Sequence, residues 1–325
     1  MITAQEVKRR ALALGADAVS IGNIERWEGA PIQMDPRQIM PEARSVIAMA
    51  FRVNRGTLRG VEEGTFFSNY SAMGYGGLTY LYIPMVVINL AKSIEDDGFE
   101  AMPYGHQSDW RAIDQDGTLR SRYSRPVAPD RAYPDVMVHL RIAAYLSGLG
   151  EIGYNKLLLT PQFGPRQRLG IVLTEAALEP DPIREQTLCN RCMACVTQCP
   201  AGAISGEKTV RARLAGHDVE WGQLDIEACD IGFRGGVPSD DDLDPDDVYT
   251  DPMYGHNVGR GWWTPFYKKP RNLYNTGQSV CGSRCMRACM ISLEERGLLS
   301  NKFQTKFRRR KPWSVDWSAE DDPVI

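Results

Sequence analysis

GLGEIGYNKLLLTPQFGPRQRLGIVLTEAALEPDPIREQTLCNRCMACVTQCP, residues Gly148–Pro200, decides how this chain is read. It ends in Cys189-x2-Cys192-x2-Cys195-x3-Cys199-Pro200. Three cysteines at that spacing wrap one corner of an iron–sulfur cubane, and the fourth points away to a neighbouring cluster. The proline turns the chain, and Ala201–Ile204 continue the segment. The other four of the eight cysteines are Cys229, Cys281, Cys285 and Cys289. By the same crossing logic Cys289 completes the first 4Fe–4S cluster, and Cys199 joins Cys229, Cys281 and Cys285 around a second. The second set departs from the simplest pattern: its spacing is Cys281-x3-Cys285-x3-Cys289, Met290 stands where a proline is usual, and Cys229 is far upstream. A four-cysteine zinc site is the competing reading, but it favours paired Cys-x2-Cys knuckles over a compact run ending in proline.

Ahead of the cysteines, Gly148, Gly150 and Gly153 form a G-x-G-x-x-G. A dinucleotide-binding turn needs a strand before those glycines and a helix after them. Here the order is reversed, because Val138–Leu146 reads as helix and Lys156–Thr160 as extended chain. The glycines are expected instead to let backbone approach a bulky ligand.

Working outward, Arg168–Thr174 reads as a buried strand, and Asp17–Gly22 and Ser45–Val53 as two more. Thr3-Ala-Gln-Glu6 is a capping box opening a short helix that Gly15 can stop. Pro84 fits the first turn of a helix with an apolar face at Val86, Val87, Leu90, Ala91 and Ile94, ending at Gly98. Helices and strands mix without a β-α-β beat, so the fold class expected is α+β. Glu179–Pro182 reads as a linker, Ser239–Asp251 as an acidic loop, and Lys306–Lys311 as a basic run. The expected domains are 1–178, 179–300 and a tail, 301–325.

Composition excludes little. Of 325 residues 43% are hydrophobic and 24% charged, and 38 Lys plus Arg against 41 Asp plus Glu leave a net charge of −3, so no global field draws the chain to nucleic acid or an anionic membrane. No apolar run is read as reaching the ~18–20 residues that span a bilayer, and the N-terminus shows neither a signal segment nor a twin-arginine leader. A cytoplasmic location is expected, where thiols stay reduced and clustered cysteines serve as metal ligands.

Residues 148–182 followed by the cysteine run resemble the cobalamin-dependent reductases that comprise reductive dehalogenases and tRNA epoxyqueuosine reductases. The resemblance is strong over Val138–Ile204, fair over the second cysteine set and weak before residue 130. It implies a mixed-sheet, nitroreductase-like α+β module holding base-off cobalamin against a two-cluster ferredoxin-like domain, with electrons passing through the clusters to cobalt. It also implies a cobalamin cradle over Gly148–Lys156, with Gly148, Gly150, Gly153, Tyr154, Asn155 and Lys156, and over Gly164–Arg168, with Gly164, Arg166 and Arg168. Asp-x-His-x-x-Gly, which supplies a histidine to cobalt elsewhere, is absent. Glu151 matches the dehalogenase branch, since the queuosine enzymes usually have tryptophan there. The expected activity is therefore dehalogenase-like reductive cleavage of a carbon–heteroatom bond in a small molecule, with epoxyqueuosine reduction as the alternative.

Such a cleavage needs a proton donor. The family's donors are a tyrosine in dehalogenases and an aspartate in queuosine enzymes. Tyr75 and Tyr80 in NYSAMGYGGLTYLY (Asn69–Tyr82) match the first and Asp135 approximates the second; the plain alternative is tyrosines packed at a core edge. Lys156, Arg166 and Arg168 are candidates for the corrin's amides and phosphate or for depressing a tyrosine pKa, against a role in surface ion pairs. His106 is either a pocket or a loop histidine. The basic run is a candidate for RNA phosphates or a cover for the acidic loop. The implied partners are an external electron donor (ferredoxin, flavodoxin or reductase) and, less favoured, tRNA, with no membrane partner. A plain two-cluster electron-transfer protein and a cobalamin-handling protein are the remaining alternatives.

Overall fold

Thr3 opens the first helix, α1 (Ala4–Leu14), its hydroxyl accepting from the Glu6 N–H at 3.2 Å, and Gly15 closes it at φ +115°. Only half of the capping box forms, because the Glu6 carboxylate is taken by Arg9 and Arg10 at 2.7 and 2.8 Å. The computed structural model describes residues 2–63, 65–66, 69–106, 126–134, 136–199, 201–226, 228–229 and 284–308.

Strands β1 (Ala18–Asn23), β2 (Ser45–Arg52) and β3 (Ala101–Tyr104) join β6 (Gln167–Thr174) in a four-stranded sheet of order β1-β2-β6-β3. Every pairing in it is antiparallel. The expected mixed sheet is therefore corrected to an antiparallel one, and α+β stands. β2 and β6 are central and covered on both faces, which is why SVIAMAFR buries everything but Arg52. Val46, Ala48 and Ala50 face α4 (Leu140–Leu146), while Ile47, Met49 and Phe51 face α1 and α3 (Ile83–Glu95). Each of those larger side chains contributes roughly 1.5–3 kcal/mol by leaving water. The α3 residues packed there are Val86, Val87, Leu90, Ala91 and Ile94, the stripe its periodicity predicts.

Before α3 runs a feature the sequence reading did not anticipate, a π-helix over Tyr70–Tyr82. Its hydrogen bonds span five residues. Together the two helices make a run, Ala72–Glu95, long and apolar enough by length and composition to cross a membrane, which corrects the expectation that no such run exists. In the fold its inner stripe lies on the sheet.

Short strands β4 (Glu151–Ile152) and β5 (Leu158–Leu159) pair with each other after α4. The cysteine region holds α5 (Ala194–Thr197), a hairpin of β7 (Ile204–Leu214) and β8 (His217–Leu224), and α6 (Arg284–Glu295). The hairpin was not read from the sequence. Ala215 and Gly216, at φ +47° and +84°, make its two-residue turn. The start of the expected basic tail folds back: Phe307 is buried and Arg308 pairs with buried Glu62 of α2 (Arg59–Glu63) at 2.5 Å. Arg308 thus covers α2; the acidic loop lies outside the described residues, as do Arg309–Lys311.

Candidate functional site

The two cysteine sets meet. Burial pushes the Cys195 thiol up to about 11, and the neighbouring Cys189 and Cys192 push it the same way. Cys289 is raised further, first by burial and then by Cys189, Cys195 and Cys192. Those four thiols are the set that crossing logic assigns to the first cluster. Cys189 and Cys192 lie on a loop curled by left-handed Arg191 and Met193, at φ +54° and +59°, and Cys195 on α5, which follows it; the fourth comes from α6, which packs on α5. Cys192 also approaches Ser292 of α6, Sγ to Oγ 3.5 Å. As a set of neighbouring thiols they suit a core whose positive charge offsets that of thiolate ligands. Backbone amides already point at the sulfurs: Tyr154 N–H donates to Cys189 Sγ at 3.3 Å and Ala203 N–H to Cys199 Sγ at 3.4 Å.

Cys199, Cys229 and Cys285 are half-buried, and Cys285 packs with Tyr154, Cys195 and Ile204. Cys281 lies outside the described residues. None of the seven described cysteines is in a disulfide. No group of three or more His, Cys, Asp or Glu among the described residues converges on a point that would hold a single metal ion.

The glycine segment serves the protein's own packing. A Cβ at Gly148 would lie 2.3 Å from the Pro182 carbonyl oxygen, and one at Gly150 2.3 Å from that of Leu159. A Cβ at Gly153 would press on Asn155 and Leu159, and one at Gly164 on Leu293 of α6. At all four glycines the chain packs against itself on the side a Cβ would take. Tyr154 is buried, and its hydroxyl donates to the Ser205 carbonyl at 2.9 Å. Among the described residues Arg166 is the largest fully buried side chain, donating to the Val53 carbonyl and, at 2.5 Å, to Asn301 Oδ1. Burial lowers its pKa to about 10. It ties β2's exit to the chain after α6, and its Nε is buried without a hydrogen-bond partner.

Between those glycines stands Glu151, missed in the sequence except as a branch marker. Its carboxylate is 2% exposed and accepts from three successive amides, Thr187 at 2.6 Å, Leu188 at 2.9 Å and Cys189 at 2.6 Å. A lone acid inside an apolar glycine run was the signal available.

Asn155 and Lys156 remain available to a ligand. The Asn155 side-chain nitrogen is buried with no hydrogen-bond partner. Lys156, at φ +58°, holds its Nζ 5.1 Å from the Trp221 ring centre, and burial followed by nearby Arg141 lowers its pKa to about 8. Asn155 is what fits a bulky polar cofactor: a buried amide donor without an acceptor, one residue from the amide that reaches Cys189.

On the π-helix the candidate tyrosines come together. Five-residue hydrogen bonds bring Tyr70, Tyr75 and Tyr80 to one side, whereas in an α-helix residues five apart diverge by about 140° around the axis. The Tyr75 and Tyr80 hydroxyls are 3.1 Å apart, and the His106 ring meets both edge-on at 6.2 and 5.7 Å. Arg168 reaches in from β6, donating to the Tyr70 hydroxyl at 2.6 Å with its guanidinium 4.5 Å from the Tyr75 ring centre. Asp135 lies outside the described residues.

Residues 182–205 match the 4Fe–4S binding domain model. Over 68 residues the chain is 47% identical to the tetrachloroethene reductive dehalogenase of Desulfitobacterium hafniense, covering 20% of this chain and 12% of that one. Over 245 residues it is 29% identical to the epoxyqueuosine reductase of Gloeobacter violaceus, covering 67% of this chain and 66% of that one. This chain is a relative of both reductases. Its fold is shared with a catabolic reductive dehalogenase solved in complex with 3-bromo-4-hydroxybenzoic acid: TM-score 0.50, 20% identity, 91% of this chain and 35% of that one. Within this group of reductases the dehalogenase match is confined to a short stretch, and the epoxyqueuosine reductase match runs over most of the chain.

Proposed function

We propose that the chain is a cobalamin-dependent oxidoreductase that passes electrons through two 4Fe–4S clusters to cleave a carbon–heteroatom bond, with dehalogenase-like chemistry on a small molecule. The observation that carries this is the packing of Cys189 and Cys289 on one apolar cluster, with Cys192 Sγ 3.5 Å from Ser292 Oγ on the Cys289 helix and Tyr154 N–H donating to Cys189 Sγ. Cys199, Cys229, Cys281 and Cys285 would hold the second cluster. The α+β module would be the nitroreductase-like partner of the cluster domain and hold cobalamin base-off. Bound cobalamin would supply the low-potential metal that gives electrons to the substrate, and Asn155 and Lys156 are the residues to hold its polar periphery.

The rest falls to the chain's own side chains. Tyr75 or Tyr80 would give a proton from a hydroxyl already in contact with the other. Arg168 stands where the charge left behind would be met by a guanidinium. An external ferredoxin, flavodoxin or reductase would supply electrons.

A second reading, reduction of epoxyqueuosine in tRNA, is favoured by the relative that matches two thirds of this chain. Anaerobic reconstitution with iron, sulfide and cobalamin tests both. A cobalt EPR signal beside about eight irons per chain supports the proposal, and turnover of halogenated aromatics against epoxyqueuosine tRNA separates the readings. Iron without cobalt would overturn the cobalamin assignment.

A further inference from the structure

Glu151 and the first cluster belong together. Two buried oxygens collect the N–H groups of Thr187, Leu188 and Cys189, the last being a ligand of that cluster. Amides that lead into a cluster ligand are the donors that could otherwise turn to cluster sulfur, and such donors raise a cluster's potential, whereas negative charge nearby lowers it. Glu151 acts in one direction on both counts: it diverts the amides and places a buried acid one hydrogen bond from the Cys189 backbone. Tyr154 N–H, three residues along, is left as the amide bonded to Cys189 Sγ.

We infer that Glu151 is a positioning residue that holds the cluster formed by Cys189, Cys192, Cys195 and Cys289 at low reduction potential. This rests on the reading of those cysteines as cluster ligands. A low setting suits a relay that must reduce a strongly reducing metal centre, and would be without purpose in a zinc site.

The test is an EPR-monitored redox titration of the reconstituted full chain, with iron counted on the same samples. Iron loading and a cluster signal in the wild-type protein test the ligand reading itself. The midpoint of the first cluster is expected to rise in Glu151→Gln, which loses the charge and part of the acceptor capacity. It should rise less in Glu151→Asp, which keeps the charge but loses reach. A wild-type midpoint in whichever variant loads iron would overturn the inference. Loss of iron from both variants, with native circular dichroism, would also overturn it, leaving Glu151 as a structural clamp.

Discussion

Arg168 leaves β6 and ends on the π-helix, where it donates to the Tyr70 hydroxyl at 2.6 Å while its guanidinium lies 4.5 Å from the centre of the Tyr75 ring. One cation thereby braces two tyrosines, and Tyr80 is joined to them through the Tyr75 hydroxyl at 3.1 Å. If this group gives the proton, replacing the donor among Tyr75→Phe and Tyr80→Phe should lower turnover by roughly 10²–10⁴-fold, the usual scale of general acid catalysis. Iron and cobalamin content should be unchanged. Arg168→Lys keeps the charge but not the planar fork, so it should also slow turnover. Full activity in both phenylalanine variants removes Tyr75 and Tyr80 as the donor.

The convergence of Cys289 on Cys189, Cys192 and Cys195 makes a separate prediction. Cys289→Ala leaves the whole run Cys189–Cys199 intact, yet should cost the first cluster and roughly half of the bound iron. Cys285→Ala should cost the other half, because the crossing assigns it to the second cluster. Iron assays with EPR of each variant check this. If Cys285→Ala removes the signal that Cys289→Ala spares, and the reverse also holds, the crossing is right. If both variants remove the same signal, the crossing is wrong.

Arg166 separates a structural from a cofactor role. Its guanidinium is buried, bonded to Val53 and Asn301, and its ring neighbour is Phe303 at 5.3 Å. Arg166→Ala would strand a buried carbonyl and an amide oxygen, and should destabilise the chain by about 3 kcal/mol or more. Urea unfolding should register that loss. Cobalamin affinity measured on the folded fraction should stay at the wild-type value, whereas a direct cofactor contact would weaken it.

How much of this was legible in sequence follows the range of the forces involved. The α3 stripe and the Gly15 stop are local, and both were readable from spacing. So were three of the four sheet strands, β3 (Ala101–Tyr104) being too short to read, although their antiparallel order depends on distant pairings, such as Ser45 with Thr174. The cysteines were legible because iron–sulfur ligation imposes spacing. The packing of Gly150 and Arg166 was not legible, because a glycine that admits a ligand and one that admits Leu159 look alike in sequence, as do an arginine that meets phosphate and one that meets Val53. The π-helix hid in plain view: Tyr70, Tyr75 and Tyr80 recur every five residues, a period that neither an α-helix nor a strand would place on one face.

His139 supplies a test by pH. As the N-cap of α4, its Nδ1 accepts from the Ile142 N–H at 3.4 Å, which requires a neutral ring. Burial first, then Lys156 and Arg141, lower its pKa from 6.5 to about 3. Above pH 6.5 the folded and unfolded chains agree on this proton. As pH falls from 6.5 toward 3 the unfolded chain takes it up and the native one refuses it, so stability falls, by up to roughly 4 kcal/mol across the window. Glu6, held at about 2 by Arg9 and Arg10, and Glu220, held at about 2 by the Thr209 hydroxyl and then Arg191 and Arg211, lose their contribution only below the usual carboxylate range near 4.5. That second loss is common to wild type and variant and cancels in the comparison. Asn is a good N-cap that does not titrate, so His139→Asn should match the wild type near pH 7.5 and outlast it at pH 5. Thermal unfolding of both chains across that range reads the difference directly; parallel curves would mean that His139 accepts a proton in the native state and that α4 keeps its cap by another route.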